Sequence, residues 1–453
     1  MICRVLNFSY KYTGKLKEQN KHIIRILLYF SIFLLGLLYS AQVLPHVHIL
    51  MKCIYGAILM GLIILFSMNG PVKRVKWNRT MSIIWFLLGI LQLVSGIVVS
   101  LEYLPMACVW LVGFPMLYLV WTNRKDYVTL FSEVAQAGNF CLWIIIVISA
   151  LLYPLEAKAY SGFIKNTNGL GQWITFAFPL VVFLIYHEQN TRIKWIYRGE
   201  IALITFFAIL SRGRTAILAL GGMCLVYGAF RICNSPRNIQ YLLKRLCAFA
   251  LCAVVACGGY YIVNFAAGYL VDKLDISISD AEDPNEKDRI DEEDEDAHGI
   301  SYYVAGSIDR LLGKDKTGHN LEDYSSGRTG IWQAALVQTN LLGHPSREHI
   351  VTERNGDVGS NVHNTVFQFI YDNGILTGLL FAVMMAYAWI KMLIITWRSH
   401  SLKGVEITFL MIQTGYILTA LLTSLNLVFL YLIAFIYYLT FAIICDKDYL
   451  PNH

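Results

Sequence analysis

His363 stands in the stretch Asn361-Val-His-Asn-Thr-Val-Phe-Gln-Phe-Ile-Tyr-Asp-Asn-Gly-Ile-Leu-Thr-Gly378, between the one long polar segment of the sequence and an apolar run long enough to cross a membrane. An imidazole titrates near neutral pH and takes a proton from a hydroxyl as a new bond forms to it. A polar group at the edge of a membrane is costly without partners. His363 is therefore a candidate general base, and Asn364 beside it either orients the imidazole or caps the helix that follows. The bland alternative for His363 is a helix-start residue bonded to backbone.

Three arginines could serve a negatively charged group. Arg212 and Arg214 lie in Leu210-Ser-Arg-Gly-Arg-Thr215, between two apolar runs joined by almost no loop. Guanidinium forks match phosphate oxygens in two-point contacts; the competing reading is that both snorkel to lipid phosphates. Arg328 lies in Ser326-Gly-Arg-Thr-Gly-Ile-Trp-Gln-Ala-Ala-Leu-Val-Gln-Thr339, where Ile331, Ala335 and Gln338 fall at helical spacing beside Trp332. That pattern predicts a helix capped near Ser325 or Ser326 and ended by Asn340-Leu-Leu-Gly-His-Pro345. A cation in its first turn opposes the helix dipole, and an anion bound there reverses the penalty; an exposed surface arginine is the plain alternative. Asn and Gly in residues 160–171 suit a turn, with Thr167 or Asn168 as the expected cap.

The elements that must position these residues are apolar. Of 453 residues, 56% are hydrophobic and 15% charged, against about 25% charged in an ordinary soluble domain, and mean hydropathy is +0.52. Runs at 23–41, 51–68, 81–100, 106–121, 139–155, 170–186, 194–210, 215–230, 246–270, 374–397, 405–425 and 428–445 predict an all-α polytopic membrane protein of about twelve transmembrane helices. Residues 1–22 read as a cytoplasmic tail without a cleavage site, and 447–453 as a second one. Lys and Arg in alternate short connections, with Arg4, Lys11, Lys15, Lys17 and Lys21 of the tail, put 20 bases on one side. Only Lys158, Lys165, Arg212 and Arg214 fall in the short connections of the other side. Positive loops stay inside, so both termini are expected in the cytoplasm. Residues 271–362 then form a large periplasmic loop between helices 9 and 10, with a helical part at 326–343.

The bases are thus a topology signal and not a nucleic-acid footprint. Asp280–Asp296 holds eleven acids and two bases; it lacks the central Gly and terminal Glu of a calcium loop and reads as a solvated acidic segment. The ten cysteines fall almost all within apolar runs and none in the long loop, which argues against a disulfide framework and a zinc site. No metal and no cofactor is expected.

The layout and four local patterns resemble the superfamily of bacterial O-antigen polymerases and O-antigen ligases. Ser211-Arg212-Gly213-Arg214-Thr215 is similar to its Ser-Arg segment. Ser326-Gly-Arg328-Thr-Gly-Ile-Trp332 with Leu341-Leu-Gly343 is similar to its loop signature. His363-Asn364 followed by Gly374 and Gly378 resembles its His-Asn motif, and Tyr160-Ser-Gly162 with Asn166-Thr-Asn168-Gly169 its Tyr-Gly-Asn-Pro-Asn segment. The likeness covers about residues 155–425. Two departures stand out: Gly374 and Gly378 are one residue further apart than in the family pattern, and Thr167 replaces Pro.

The resemblance implies an inner-membrane glycosyltransferase acting on undecaprenyl-diphosphate-linked glycans, as donor and acceptor, at the periplasmic face. His363 and Asn364 would be catalytic and Arg212, Arg214 and Arg328 would hold the diphosphate. Tyr160, Asn166, Asn168 and Trp332 are candidate substrate contacts, and the partners are the glycan lipids, membrane lipids and a chain-length regulator protein. Fixed arginines stabilise the charge that develops on a leaving diphosphate. A polymerase joins lipid-linked repeat units, and a ligase transfers the chain to lipid A–core; the number and divergence of polymerase sequences favour the first. A transporter or flippase is the lesser alternative, since it would carry no such outer loop. An oligosaccharyl transferase is disfavoured because residues 42–50 contain no acid.

Overall fold

Each of the twelve apolar runs contributes a helix. The computed structural model describes residues 2–155, 159–234, 239–273, 328–345, 348–352, 356–357, 359–401 and 404–449. The acidic segment 280–296, Lys158 and the expected cap at Ser325 or Ser326 lie outside the described residues. The helices are α1 (Ile2–Thr13), α2 (Glu18–Ser40), α3 (Ile49–Ser67), α4 (Arg79–Val98), α5 (Leu101–Arg124), α6 (Tyr127–Leu152), α7 (Thr167–His187), α8 (Thr191–Leu210), α9 (Arg214–Asn234) and α10 (Ile239–Lys273). Then come α11 (Arg328–Val337), α12 (Thr365–Asn373), α13 (Ile375–Ser399), α14 (Val405–Ala420) and α15 (Leu432–Cys445). A ribbon of two residues per strand, Val351–Thr352 with Gly356–Asp357, lies beside α11.

Among the described residues, nine helices are long and apolar enough to cross a membrane: α2 to α7, α9, most of α10, and α13. α8 has 20 residues but carries Arg192, Lys194, Arg198 and Glu200. α14 and α15 are shorter than a bilayer core requires; sixteen residues of α14 rise about 24 Å against a core of about 30 Å. They are also the innermost helices, with all of Leu432–Cys445 and nearly all of α14 buried. A helix apolar on every side belongs in the centre of a bundle, and α7, α9, α13 and α15 pack around α14.

The expected run 405–425 therefore ends early, at Ala420, and the chain is irregular from Leu421 to Tyr431. Backbone without helix at this depth must find its hydrogen bonds within the protein. That requirement shapes the site described next.

The two ends of the bundle differ. At one end α2 carries Arg25, wholly buried, whose guanidinium donates to both carboxylate oxygens of Glu133 on α6 (2.7 and 2.5 Å) and to the Phe66 carbonyl of α3 (2.8 Å). Arg124 pairs with Glu18 at 2.7 Å, and Lys21 donates to the Met68 carbonyl at 2.8 Å. Lys76, Asn78 and Trp77 meet Cys445 to Lys447 at the same end. The opposite end carries Arg212, Arg214, Arg328 and His363.

Candidate active site

His363 adopts a left-handed backbone, φ +55°, which costs a residue with a β-carbon roughly 1–2 kcal/mol. Its surroundings hold it there. The His363 N–H donates to Asn361 Oδ1 (2.9 Å), Val362 N–H to Gln368 Oε1 (2.9 Å), and the Trp332 indole N–H to the Val362 carbonyl (2.9 Å). The imidazole itself is half-buried and makes no hydrogen bond to a described residue. Burial, and after it the nearby Arg328 guanidinium, hold its pKa below the ordinary 6.5. At neutral pH it is the free base. Among the described residues, the hydrogen bond of His363 runs through its main-chain N–H and none through the ring.

Asn364 takes the second of its two expected roles. Its Oδ1 accepts from Phe367 N–H (3.1 Å) as the cap of α12, and its Nδ2 donates to the Leu421 carbonyl (3.0 Å). Arg328 Nη1 donates to the next carbonyl, Leu422 (2.9 Å), and Thr365 Oγ1 to the one after, Thr423 (2.7 Å). Three consecutive carbonyls of the irregular segment after α14 are thus satisfied by the cap of α12, by α12 itself and by the first residue of α11. This segment is the shelf on which the base and an arginine are assembled. The sequence reading took it for the end of a span; its only signal is the polar run Thr423-Ser-Leu-Asn426.

Arg212 and Arg214 reach the same end through α9. Ser211 and Gly213 close a tight turn, with Ser211 Oγ accepting from Gly213 N–H (3.2 Å), and Arg212 takes φ +49°. α9 runs antiparallel to α14: a β-carbon on Gly222 would meet Leu418, and one on Gly415 would meet Met223. Eight residues outward from Gly222, about 12 Å, bring Arg214 to the end of the bundle that holds the shelf bound by Arg328 and Asn364. Both Arg212 and Arg214 are half-buried.

The other candidate contacts have protein partners of their own. Tyr160 is buried, and its hydroxyl lies 2.8 Å from that of Tyr260 and donates to the carbonyls of Ser149 and Tyr153. It fastens the turn to the bundle, as does Tyr160 N–H on the Leu210 carbonyl. Asn166, and neither Thr167 nor Asn168, caps α7 by accepting from Asn168 and Gly169 N–H; Asn168 lies half-buried in the first turn. Trp332 spends its N–H on Val362 and packs edge-on against Phe367, so it positions His363.

The odd glycine spacing has a physical basis. Gly374 breaks the chain between α12 and α13 with φ +90° and ψ 160°, a region open essentially to glycine. A β-carbon there would stand 2.0 Å from the Leu341 carbonyl oxygen, and one on Gly343 would stand 2.1 Å from that of Asp372. Gly378 lets α13 pass against Ile370. The Leu341-Leu-Gly343 strap and the His-Asn helix thus interlock through glycines from two separate motifs.

On the other face of α12 a cavity of about 560 Å³ opens between residues 39–53, the facing ends of α4 and α5, and residues 424–431. Asp372 lines it, accepting from Gln368 (2.9 Å) and Asn426 (3.2 Å). Burial outweighs those bonds and pushes its pKa up to about 7.

No curated protein and no solved structure matches this chain. Residues 199–382, which contain Arg212, Arg214, Arg328, His363 and the Gly374 break, match the O-antigen ligase family model, a match that supports a place in the O-antigen ligase and polymerase superfamily.

Proposed function

We propose that the protein is a glycosyltransferase that polymerises undecaprenyl-diphosphate-linked repeat units at the periplasmic face of the inner membrane. The observation that carries this reading is the His363 imidazole, which makes no hydrogen bond to a described residue and whose pKa is held below 6.5 by burial and the nearby Arg328 guanidinium. His363 removes the proton of an acceptor hydroxyl as its oxygen attacks the anomeric carbon of the donor glycan. The bond from that carbon to the lipid diphosphate breaks, and the diphosphate leaves with the electron pair, its charge held by Arg212, Arg214 and Arg328. Asn364 and Trp332 are positioning residues.

Transfer to lipid A–core is the second reading, favoured by the ligase description of the matching family. The glycans of a deletion strain separate the two. Loss of the polymerase leaves single repeat units on lipid A–core, and loss of a ligase accumulates long lipid-linked chains. His363→Ala is expected to lower chain extension about 10²- to 10⁴-fold and Arg212→Ala about 10²- to 10³-fold, with both variants in the membrane at wild-type level. Normal long polysaccharide from either variant overturns the assignment.

A further inference from the structure

We propose that the cavity beside α12 is a sugar-binding subsite that receives the acceptor end of the glycan and presents its hydroxyl to His363. It rests on the transferase reading and adds where the acceptor sits and what holds it. The lining decides the ligand class. Among the described residues no arginine lines the cavity; its charged or titratable side chains are Glu102, Asp372, Lys52, His46 and His48, so it lacks the guanidinium forks that grip a diphosphate, which the other side of α12 supplies. The one lysine, Lys52, is buried with its ammonium over the Tyr39 ring at 4.8 Å. Side-chain amides of Gln92, Gln368, Asn373 and Asn426 make the walls too polar for an acyl chain.

Carboxylates and amides, which bind hydroxyls as acceptor or donor, with tyrosine rings beside them, suit an uncharged sugar. The volume falls within the range of about 300–1,000 Å³ that small-molecule sites occupy. A second observation points inward. Gln92 is 3% exposed, and its Oε1 has no hydrogen-bond partner among the described residues. A buried acceptor without a donor is a standing cost, and a turn of the Gln92 amide toward the cavity it lines would let a sugar hydroxyl remove it.

The cavity also connects to the base. Asn361 lines its edge and holds the His363 N–H through Oδ1, and two residues of chain span at most about 7 Å. Gln368 joins the two sides of α12: its Nε2 donates to Asp372 in the cavity wall, and its Oε1 accepts from Val362 beside His363.

The test uses the full-length protein in lipid nanodiscs. The probe is the free oligosaccharide released by mild acid from the lipid-linked glycans of the strain that carries the gene. Wild type and His363→Ala are expected to bind it alike. Gln92→Leu and the rim variant Glu102→Gln are expected to bind about tenfold more weakly, raising the acceptor KM with kcat within about twofold. Thermal unfolding of each variant checks that it is folded. No binding by wild type, or equal binding by wild type and both variants, overturns the subsite. Binding that weakens as expected in a protein that transfers no sugar upholds the subsite and overturns the transferase reading.

Discussion

At the scale of single residues, the chemistry turns on which form of His363 is populated. A base must be deprotonated, so activity falls as pH drops through the pKa of the imidazole. Burial and Arg328 both disfavour the imidazolium and hold that pKa below 6.5, which extends the active form toward acid. Arg328→Gln keeps an amide donor for the Leu422 carbonyl and removes the cation. Its pH–rate profile should therefore show the acid limb displaced to higher pH, along with a lower maximum. A limb that stays in place or moves to lower pH would mean that a group other than His363 sets it. His363 and the arginines were legible in the sequence because a titratable or charged side chain at a membrane edge demands an explanation. Tyr160 and Trp332 were not, because a hydroxyl or indole N–H can point to a ligand or into the protein. Here each points inward, to partners 100 and 30 residues away in sequence.

At the scale of elements, apolar length predicted the helices and failed where a helix stops for a tertiary reason. α14 ends at Ala420 because the shelf beyond it is bonded by residues of α11 and α12, and nothing in residues 405–425 announces those partners. The break at Gly374 was visible only as an irregular spacing. Its consequence is testable. Gly374→Ala forces a β-carbon into the Leu341 carbonyl and into a backbone region closed to it, so it should cost about 2–5 kcal/mol. Gly343→Ala, with φ +92° and the Asp372 carbonyl in its path, should cost a similar amount. Gly61→Ala in α3, where a β-carbon meets open space, is the control and should be neutral or stabilising by up to about 1 kcal/mol. Unfolding in detergent checks all three. Equal midpoints for Gly374→Ala and Gly61→Ala would mean that α12 and the strap are not interlocked as described.

At the scale of the whole molecule, charge is sorted along the bundle. The end that holds Arg25, Lys21 and Arg124 also gathers the basic stretch Lys73 to Arg79, the ends of α5 and α13, and the first turn of α8. It is stapled by a buried ion pair: Arg25 and Glu133 have wholly buried side chains, and breaking such a pair leaves an uncompensated charge inside the protein. Among the described residues, the site end holds few bases besides Arg212, Arg214 and Arg328. Lys and Arg resist translocation, so the basic end should face the cytoplasm and the His363 end the periplasm. Single cysteines introduced into a cysteine-free variant test this in spheroplasts with a membrane-impermeant maleimide. Exposed positions at the site end, Val43 and Asn361, should label in intact spheroplasts. Lys73 and Lys125, exposed at the basic end, should label only after permeabilisation. The reverse pattern would put the base, the arginines and the cavity in the cytoplasm, where a periplasmic acceptor never meets them. The orientation of the bundle therefore bears on the chemistry as directly as the loss of His363 does.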